Sequence, residues 1–206
     1  MNAFEPVVLI SDETALGTDL AIQRTLETLC VNVYRLYLGG VMQNAVDVLS
    51  GKIPDSEWVI LSSHGLGRTD KPDEPPEEME MGFHIAGREF VLTPQNICRQ
   101  VRLPGRKIIA QGCGNGREPF GRAFLDAGCS VYIGANASVD QTSSVLFTSL
   151  FFYHLLKPNG TPIPPHGKPA RIFTEQQAFE RARSVDDETG LFRYYTRAEY
   201  GFASIR

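Results

Sequence analysis

Two apolar runs in this chain stop at residues able to do chemistry. Trp58-Val59-Ile60-Leu61-Ser62-Ser63 leads into His64-Gly65, and Lys107-Ile108-Ile109-Ala110-Gln111-Gly112 leads into Cys113-Gly114. Short continuous apolar runs bounded by turn residues are the pattern of strands buried on both faces, as in parallel sheets. The carboxyl ends of parallel strands are where open α/β sheets place their ligands. A histidine and a cysteine at two such ends form a candidate base and nucleophile.

The rest of the chain alternates in the same way. Val7 to Ile10 is a short apolar run, followed by Leu16, Leu20, Ile22, Leu26 and Leu29 at helical spacing. Val31 to Leu38 reads as a strand closed by Gly39-Gly40, and Val41, Ala45 and Val48 mark a short helix. Residues 81–92 read as a small β-hairpin turning near Ala86-Gly87. Thr93-Pro94 is a helix start, with a capping hydroxyl and then proline in the first turn, so a helix to about Val101 is expected. Ile108 to Ala110 and Val131 to Ile133 are strands, and Pro119 to Ala127 is a helix closed by Gly128. Ser143 to Leu156 is a strongly apolar helix, and Thr174-Glu175-Gln176-Gln177 is a capping-box pattern opening a final helix. Alternating strands and helices imply a mainly parallel sheet with helices on both faces, a three-layer α/β sandwich plus the hairpin. At 206 residues, 1–206 is expected to form a single domain.

Composition removes several function classes. A net charge of −4 offers no electrostatic case for nucleic acid. No apolar stretch reaches the roughly 18 residues of a membrane span. No secretory signal is visible at the start, and the four cysteines have no paired metal spacing, so reduced thiols in a cytoplasmic protein are expected. Asp70 to Glu80 carries six acidic residues and three prolines, and reads as a mobile loop overhanging any site at His64. Its spacing matches no calcium loop.

A free thiol near its reference pKa of ~8.5 is only a few per cent thiolate at neutral pH, so Cys113 needs a base, and His64 can serve. Gly65 and Gly114 permit tight turns and close approach of a substrate carbonyl. The backbone amides of Gly65 and Cys113 would then form an oxyanion hole, typically worth ~3 kcal/mol per donor. The bland alternative is a buried structural cysteine and a histidine that merely ends a strand. Among the pairings of four cysteines with four histidines, this one alone joins residues that both end apolar runs and both abut glycine. Cys30 and Cys98 fall in helix patterns and are expected in the core, Cys129 as packing, and His84, His154 and His166 in structural or solvated roles.

Ile60-Leu61-Ser62-Ser63-His64-Gly65 and Ile108-Ile109-Ala110-Gln111-Gly112-Cys113-Gly114 resemble the His-Gly and Gln-x-Cys motifs of caspase-like cysteine peptidases, the group of caspases, metacaspases, clostripain-like and gingipain-like peptidases, separase and CHAT domains. Gly112 and Asn115 depart from the caspase signature. Gly17-Thr18-Asp19 is similar to the start of the first caspase helix, whereas the hairpin ending Leu92-Thr93-Pro94 and the Phe151-Phe152-Tyr153 helix look more like CHAT domains. The resemblance spans about Val7 to Arg183. It implies a six-stranded, mostly parallel sheet, a His64–Cys113 dyad, and proteolysis of a peptide or protein substrate through a thioester, with no cofactor or metal.

In that group the residue two before the cysteine often lines the S1 pocket, which here is Gln111. Members that cut after basic residues tend to carry an acid there. Those that cut after aspartate also carry an arginine where this chain has Ala15. Gln111 alone therefore implies a neutral P1 residue, unless Asp140, in the loop after the strand ending near Gly134, supplies a carboxylate. Two other readings remain: a caspase-like or CHAT-type scaffold that has lost turnover, with a regulatory partner of unknown kind, and a flavodoxin-like or nucleotide-binding protein. The latter lacks any Gly-x-Gly-x-x-Gly or Walker-type loop after the first strand.

Overall fold

The computed structural model of the protein describes residues 5–38, 42–66, 79–85, 87–156 and 173–200. Its first half runs β1 (Val7–Ser11), α1 (Leu16–Thr28), β2 (Val33–Tyr37), α2 (Met42–Leu49), β3 (Trp58–Ser62), β4 (His64–Leu66), β5 (Glu80–Ile85) and β6 (Arg88–Leu92). The second half runs α3 (Pro94–Gln100), β7 (Lys107–Gln111), α4 (Glu118–Asp126), β8 (Val131–Ala135), α5 (Gln141–Leu156), α6 (Glu175–Arg183) and β9 (Phe192–Thr196). The Gly39-Gly40 strand end, residues 70–78 of the acidic stretch, Ala86 and His166 lie outside the described residues.

Six strands form one sheet in the order β2-β1-β3-β7-β8-β9, and β4-β5-β6 form a second, antiparallel sheet. The first five strands of the large sheet are parallel, and β9 closes it antiparallel to β8. Every residue of β1, β3 and β8 is buried. Alternate residues feed opposite faces, as the two-residue period of a strand demands. Val8, Ile10, Val59, Leu61, Ile108, Ala110 and Tyr132 join one core with α2, α3, α4 and the small sheet. Val7, Leu9, Trp58, Ile60, Ile109, Val131 and Ile133 join the other with α1, α5 and α6. The sheet is thus sandwiched, as expected from the alternating pattern.

The uniform apolarity of α5 has a packing cause: it lies over the sheet with α1 on one flank and α6 on the other. Phe147 stacks on Phe192 at 3.8 Å, and Trp58 meets Phe151 and Phe152 edge-on at 4.9 and 5.7 Å. The expected caps form. The Thr93 hydroxyl accepts from the Asn96 amide, and Thr174 and Gln177 make a reciprocal capping box. Gly128, at φ +104°, ends α4 with the Cys129 amide bonded back to the Phe124 carbonyl.

β9, after the last helix, supplies the sixth strand of the six-stranded sheet that the resemblance implies. Two sequence expectations need correction. The hairpin is a three-stranded sheet, because His64–Leu66 pairs with β5. Cys30 and Cys98 are exposed rather than in the core. Cys30 takes the left-handed position just past α1, at φ +62°, where the Val31 amide bonds to the Leu26 carbonyl. That is a helix-ending role on the surface, usually filled by glycine.

Candidate active site

The strand order reverses direction at β1, since the chain goes from β1 outward to β2 and then back to β3 on its other side. Such a switch point opens a crevice at the carboxyl ends of the strands. Asp12 follows β1, His64 follows β3 by two residues, Cys113 follows β7 by two, and the loop holding Val139 and Asp140 follows β8. A cavity of about 150 Å³ at this edge is lined by Ala15 and Thr18 of the α1 start, Ser62 to Gly65, Gln111 to Cys113, and Val139, Gln141 and Ser144. His64 and Cys113 therefore face one cavity, and Gly65 and Gln111 share it.

Two glycines make this approach possible. A Cβ on Gly65 would sit 1.5 Å from the carbonyl oxygen of Cys113, so only glycine lets the two loops touch. Gly114 turns at φ +71° and donates its amide to the Ala137 carbonyl at 3.0 Å, tying the cysteine loop to the loop after β8. The Cys113 sulfur lies 3.4 Å from both the amide nitrogen and the carbonyl oxygen of Val139.

The His64 ring is anchored through Nε2. That atom lies 3.2 Å from Asp12 Oδ2 and in hydrogen-bond contact with the Thr14 hydroxyl. Asp12 is fully buried, and its carboxylate accepts from the Thr14 and Ala15 amides at 2.9 and 3.1 Å, the Thr14 hydroxyl at 2.9 Å and the His84 amide at 3.0 Å. Burial pushes the Asp12 carboxyl up. Hydrogen bonds from His64, the backbone of His84 and Thr14, and the Thr14 side chain outweigh it and hold the group at about 2. Reciprocally, the hydrogen bond to Asp12 raises His64 above its ordinary value against the opposing effect of burial. The His84 ring lies edge-on to His64, 5.3 Å between centroids.

Gln111 is buried at 6 % exposure, and its amide nitrogen donates to the Thr148 hydroxyl of α5 at 2.8 Å. Asp140 does not line the cavity. It is exposed, its carboxylate caps α5 through the Thr142 amide at 2.7 Å, and its own amide donates to Glu188 at 2.9 Å. Among the described residues, no cluster of three or more His, Cys, Asp or Glu could hold a metal ion, and no helix is long and apolar enough to cross a membrane.

No protein-family model matches the sequence, and no curated protein matches it. Solved structures do match the fold. Separase in the Saccharomyces cerevisiae separase–securin complex superposes with a TM-score of 0.58 at 10 % identity over 94 % of this chain. The RgpB pro- and mature-domain complex of Porphyromonas gingivalis superposes with a TM-score of 0.55 at 12 % identity over 93 %. The chain has the caspase-like peptidase fold. It spans 12 % of the separase chain and 47 % of the RgpB chain.

On this caspase-like frame, sequence reasoning missed Asp12 and Thr14, the two side chains that hold His64. A signal existed: Val7 to Ile10 is an apolar run ending at Ser11-Asp12, just as the other runs end at His64 and Cys113. Nothing local to Thr148, in the middle of an apolar helix, marked it as the partner of Gln111.

Proposed function

We propose that the protein is a cysteine endopeptidase whose base is His64 and whose nucleophile is Cys113. The observation that carries this reading is that the two side chains line one cavity at the carboxyl edge of the sheet, with the imidazole anchored through Nε2. His64 takes the thiol proton, and the Cys113 sulfur attacks the peptide carbonyl carbon. The amides of Gly65 and Cys113 stabilise the resulting oxyanion. Collapse breaks the C–N bond as the His64 proton passes to the leaving amine. Water then adds to the thioester with His64 as base, the C–S bond breaks, and a carboxylic acid leaves while the thiol is restored.

The buried placement of Gln111 on the cavity wall supports a role in S1. Among the described residues lining the cavity, none is Lys, Arg, Asp or Glu. A charged P1 side chain would meet no counter-ion there, and burying an unpaired charge is costly. The reading is therefore of a peptide or protein substrate with a neutral P1 residue.

The test is hydrolysis of a peptide library varied at P1 by the wild type, Cys113→Ala and His64→Ala. Turnover lost in both variants, with unchanged thermal melting, supports the proposal. Full turnover in Cys113→Ala overturns it. A preference for Arg or Lys at P1 that disappears in Asp140→Asn overturns the neutral pocket. Selective peptide binding with no turnover by the wild type identifies a scaffold instead.

A further inference from the structure

The loop after β7 departs from the caspase signature at Gly112 and Asn115, and the fold brings those two residues into contact. A Cβ at position 112 would sit 2.2 Å from Asn115 Nδ2 and 2.6 Å from the Ser63 carbonyl oxygen. Glycine there leaves the space that the Asn115 side chain fills. Asn115 is fully buried, and its Nδ2 donates to Ser63 Oγ at 2.9 Å. The same two segments meet where the Ser63 amide donates to the Gln111 carbonyl at 3.2 Å. Ser63 directly precedes His64, and Gly112 directly precedes Cys113. The Asn115–Ser63 bond therefore ties the loop that carries the base to the loop that carries the nucleophile.

The base of this bridge is fixed to the sheet. The Asn115 carbonyl accepts from the buried Tyr132 hydroxyl of β8 at 2.6 Å, and the Gly116 amide donates to the Ala135 carbonyl at 2.7 Å. Asn115 Oδ1 has no hydrogen-bond partner among the described residues. A buried amide satisfied on one half only costs stability. Such a breach of the local rules is expected where function sets the requirement. Ser63 and Gly112 line the cavity, and Asn115 stands behind them.

We infer that Asn115 is a positioning residue: through Ser63 it sets the spacing of His64 and Cys113. It touches no substrate and acts only through the two loops it joins. A misplacement of about 1 Å between reacting groups can cost about a hundredfold in rate. The kinetic part of this inference rests on the proposed peptidase reading, whereas the mutual placement of His64 and Cys113 does not.

The experiment has two arms. The first reads the pair without turnover, as the rate at which iodoacetamide alkylates Cys113 at neutral pH. The Cys113 peptide is followed by mass spectrometry, because Cys30 and Cys98 are also exposed. Only thiolate reacts, so loss of the base in His64→Ala should slow alkylation about tenfold. In Asn115→Ala or Ser63→Ala protein the further change His64→Ala should slow it less than about threefold, since the two groups are no longer coupled. An undiminished effect of His64→Ala in the bridge variants overturns the inference and leaves the dyad standing. No effect of His64→Ala in otherwise native protein overturns both.

The second arm follows kcat and KM for peptide hydrolysis, with the melting temperature of each variant. Asn115→Ala and Ser63→Ala should each lower kcat about tenfold to a hundredfold with little change in KM. The double variant should lose no more than the worse single one. Full kcat in Asn115→Ala, a KM-only effect or additive losses overturn the inference. Ser63→Ala removes a single oxygen and decides the matter if Asn115→Ala does not fold. Bridge-dependent alkylation in a protein that hydrolyses nothing would sink the peptidase reading and leave the positioning assignment standing.

Discussion

The two ends of the large sheet are built on opposite rules. At the amino end the charges are paired. Lys107 bonds to Glu57 and Glu175 and lies 5.7 Å over the Trp58 ring, and Arg106 pairs with Asp55 at 3.0 Å and bonds to the Ser56 carbonyl. Ser56 and Trp58 leave a buried hydroxyl and indole N–H without partners there, but both are neutral. At the carboxyl end Asp19 is fully buried with neither oxygen hydrogen-bonded, and Gln111 and Asn115 each leave a side-chain oxygen unpartnered. Asp12 beside them is held by several hydrogen bonds. Unsatisfied buried polar groups cost stability, and their concentration at the edge that opens into the cavity is what a site built for chemistry rather than stability looks like.

The largest effect should separate the ends by activity alone. His64→Ala is expected to reduce peptide hydrolysis by several orders of magnitude with little change in melting temperature, since proton transfer alone is worth 10²–10⁴-fold. Lys107→Met should do the reverse: no change in hydrolysis, and a stability loss of about 1 kcal/mol because its partners are partly exposed. Equal effects of both on hydrolysis would erase the distinction. Next, Gly65→Ala forces a Cβ against the Cys113 carbonyl, 1.5 Å away. Backbone must shift, and a loss of about 2 kcal/mol or more in urea unfolding, together with hydrolysis, is expected.

The remaining two predictions sharpen the contrast between neighbouring carboxyls. Asp12 is held at about 2 in the folded state, below its ordinary 3.8. Its stabilisation is fully present above 3.8 and is lost as pH falls through about 2. Asp12→Asn should therefore cost about 1–2 kcal/mol at neutral pH and nothing in strong acid, as read by unfolding across pH. Asp19 runs the other way. Burial raises it, the nearby hydroxyls of Ser11 and Ser62 offset this only in part, and Asp12 adds repulsion while the Arg35 charge opposes it. A folded-state proton held more tightly than in the unfolded chain means stability falls as pH rises through the ordinary carboxyl range. Asp19→Asn should thus raise the melting temperature slightly at neutral pH, with the gain fading in acid. A loss at neutral pH would mean that Asp19 is paired rather than strained.

What could be read from the chain follows the reach of each signal. Apolar runs and helical spacing are local, so β1, β3, β7 and β8 and their helices were legible, and with them His64, Gly65, Gln111 and Cys113 at one cavity. β4 has three residues, too few to show a period. β9 is Phe192-Arg193-Tyr194-Tyr195-Thr196, with only Phe192 buried, so its alternation is faint. Cys98 was misplaced because sequence spacing says that a residue is on a helix, not which way it faces.

The sandwich and the two strand ends that meet are written locally in the chain, because burial on both faces puts a continuous apolar run into each strand. What the histidine leans on follows from contacts between distant parts of the chain. Asp12 and Thr14 lie about fifty positions from His64, and Thr148 lies far along the chain from Gln111. These contacts exist because strand order brings β1 beside β3 and lays α5 across the sheet. The same closure removed Asp140 from the cavity, by committing its carboxylate to the first turn of α5. A helix cap and a pocket wall draw on the same residue types, and only the path of the backbone tells them apart.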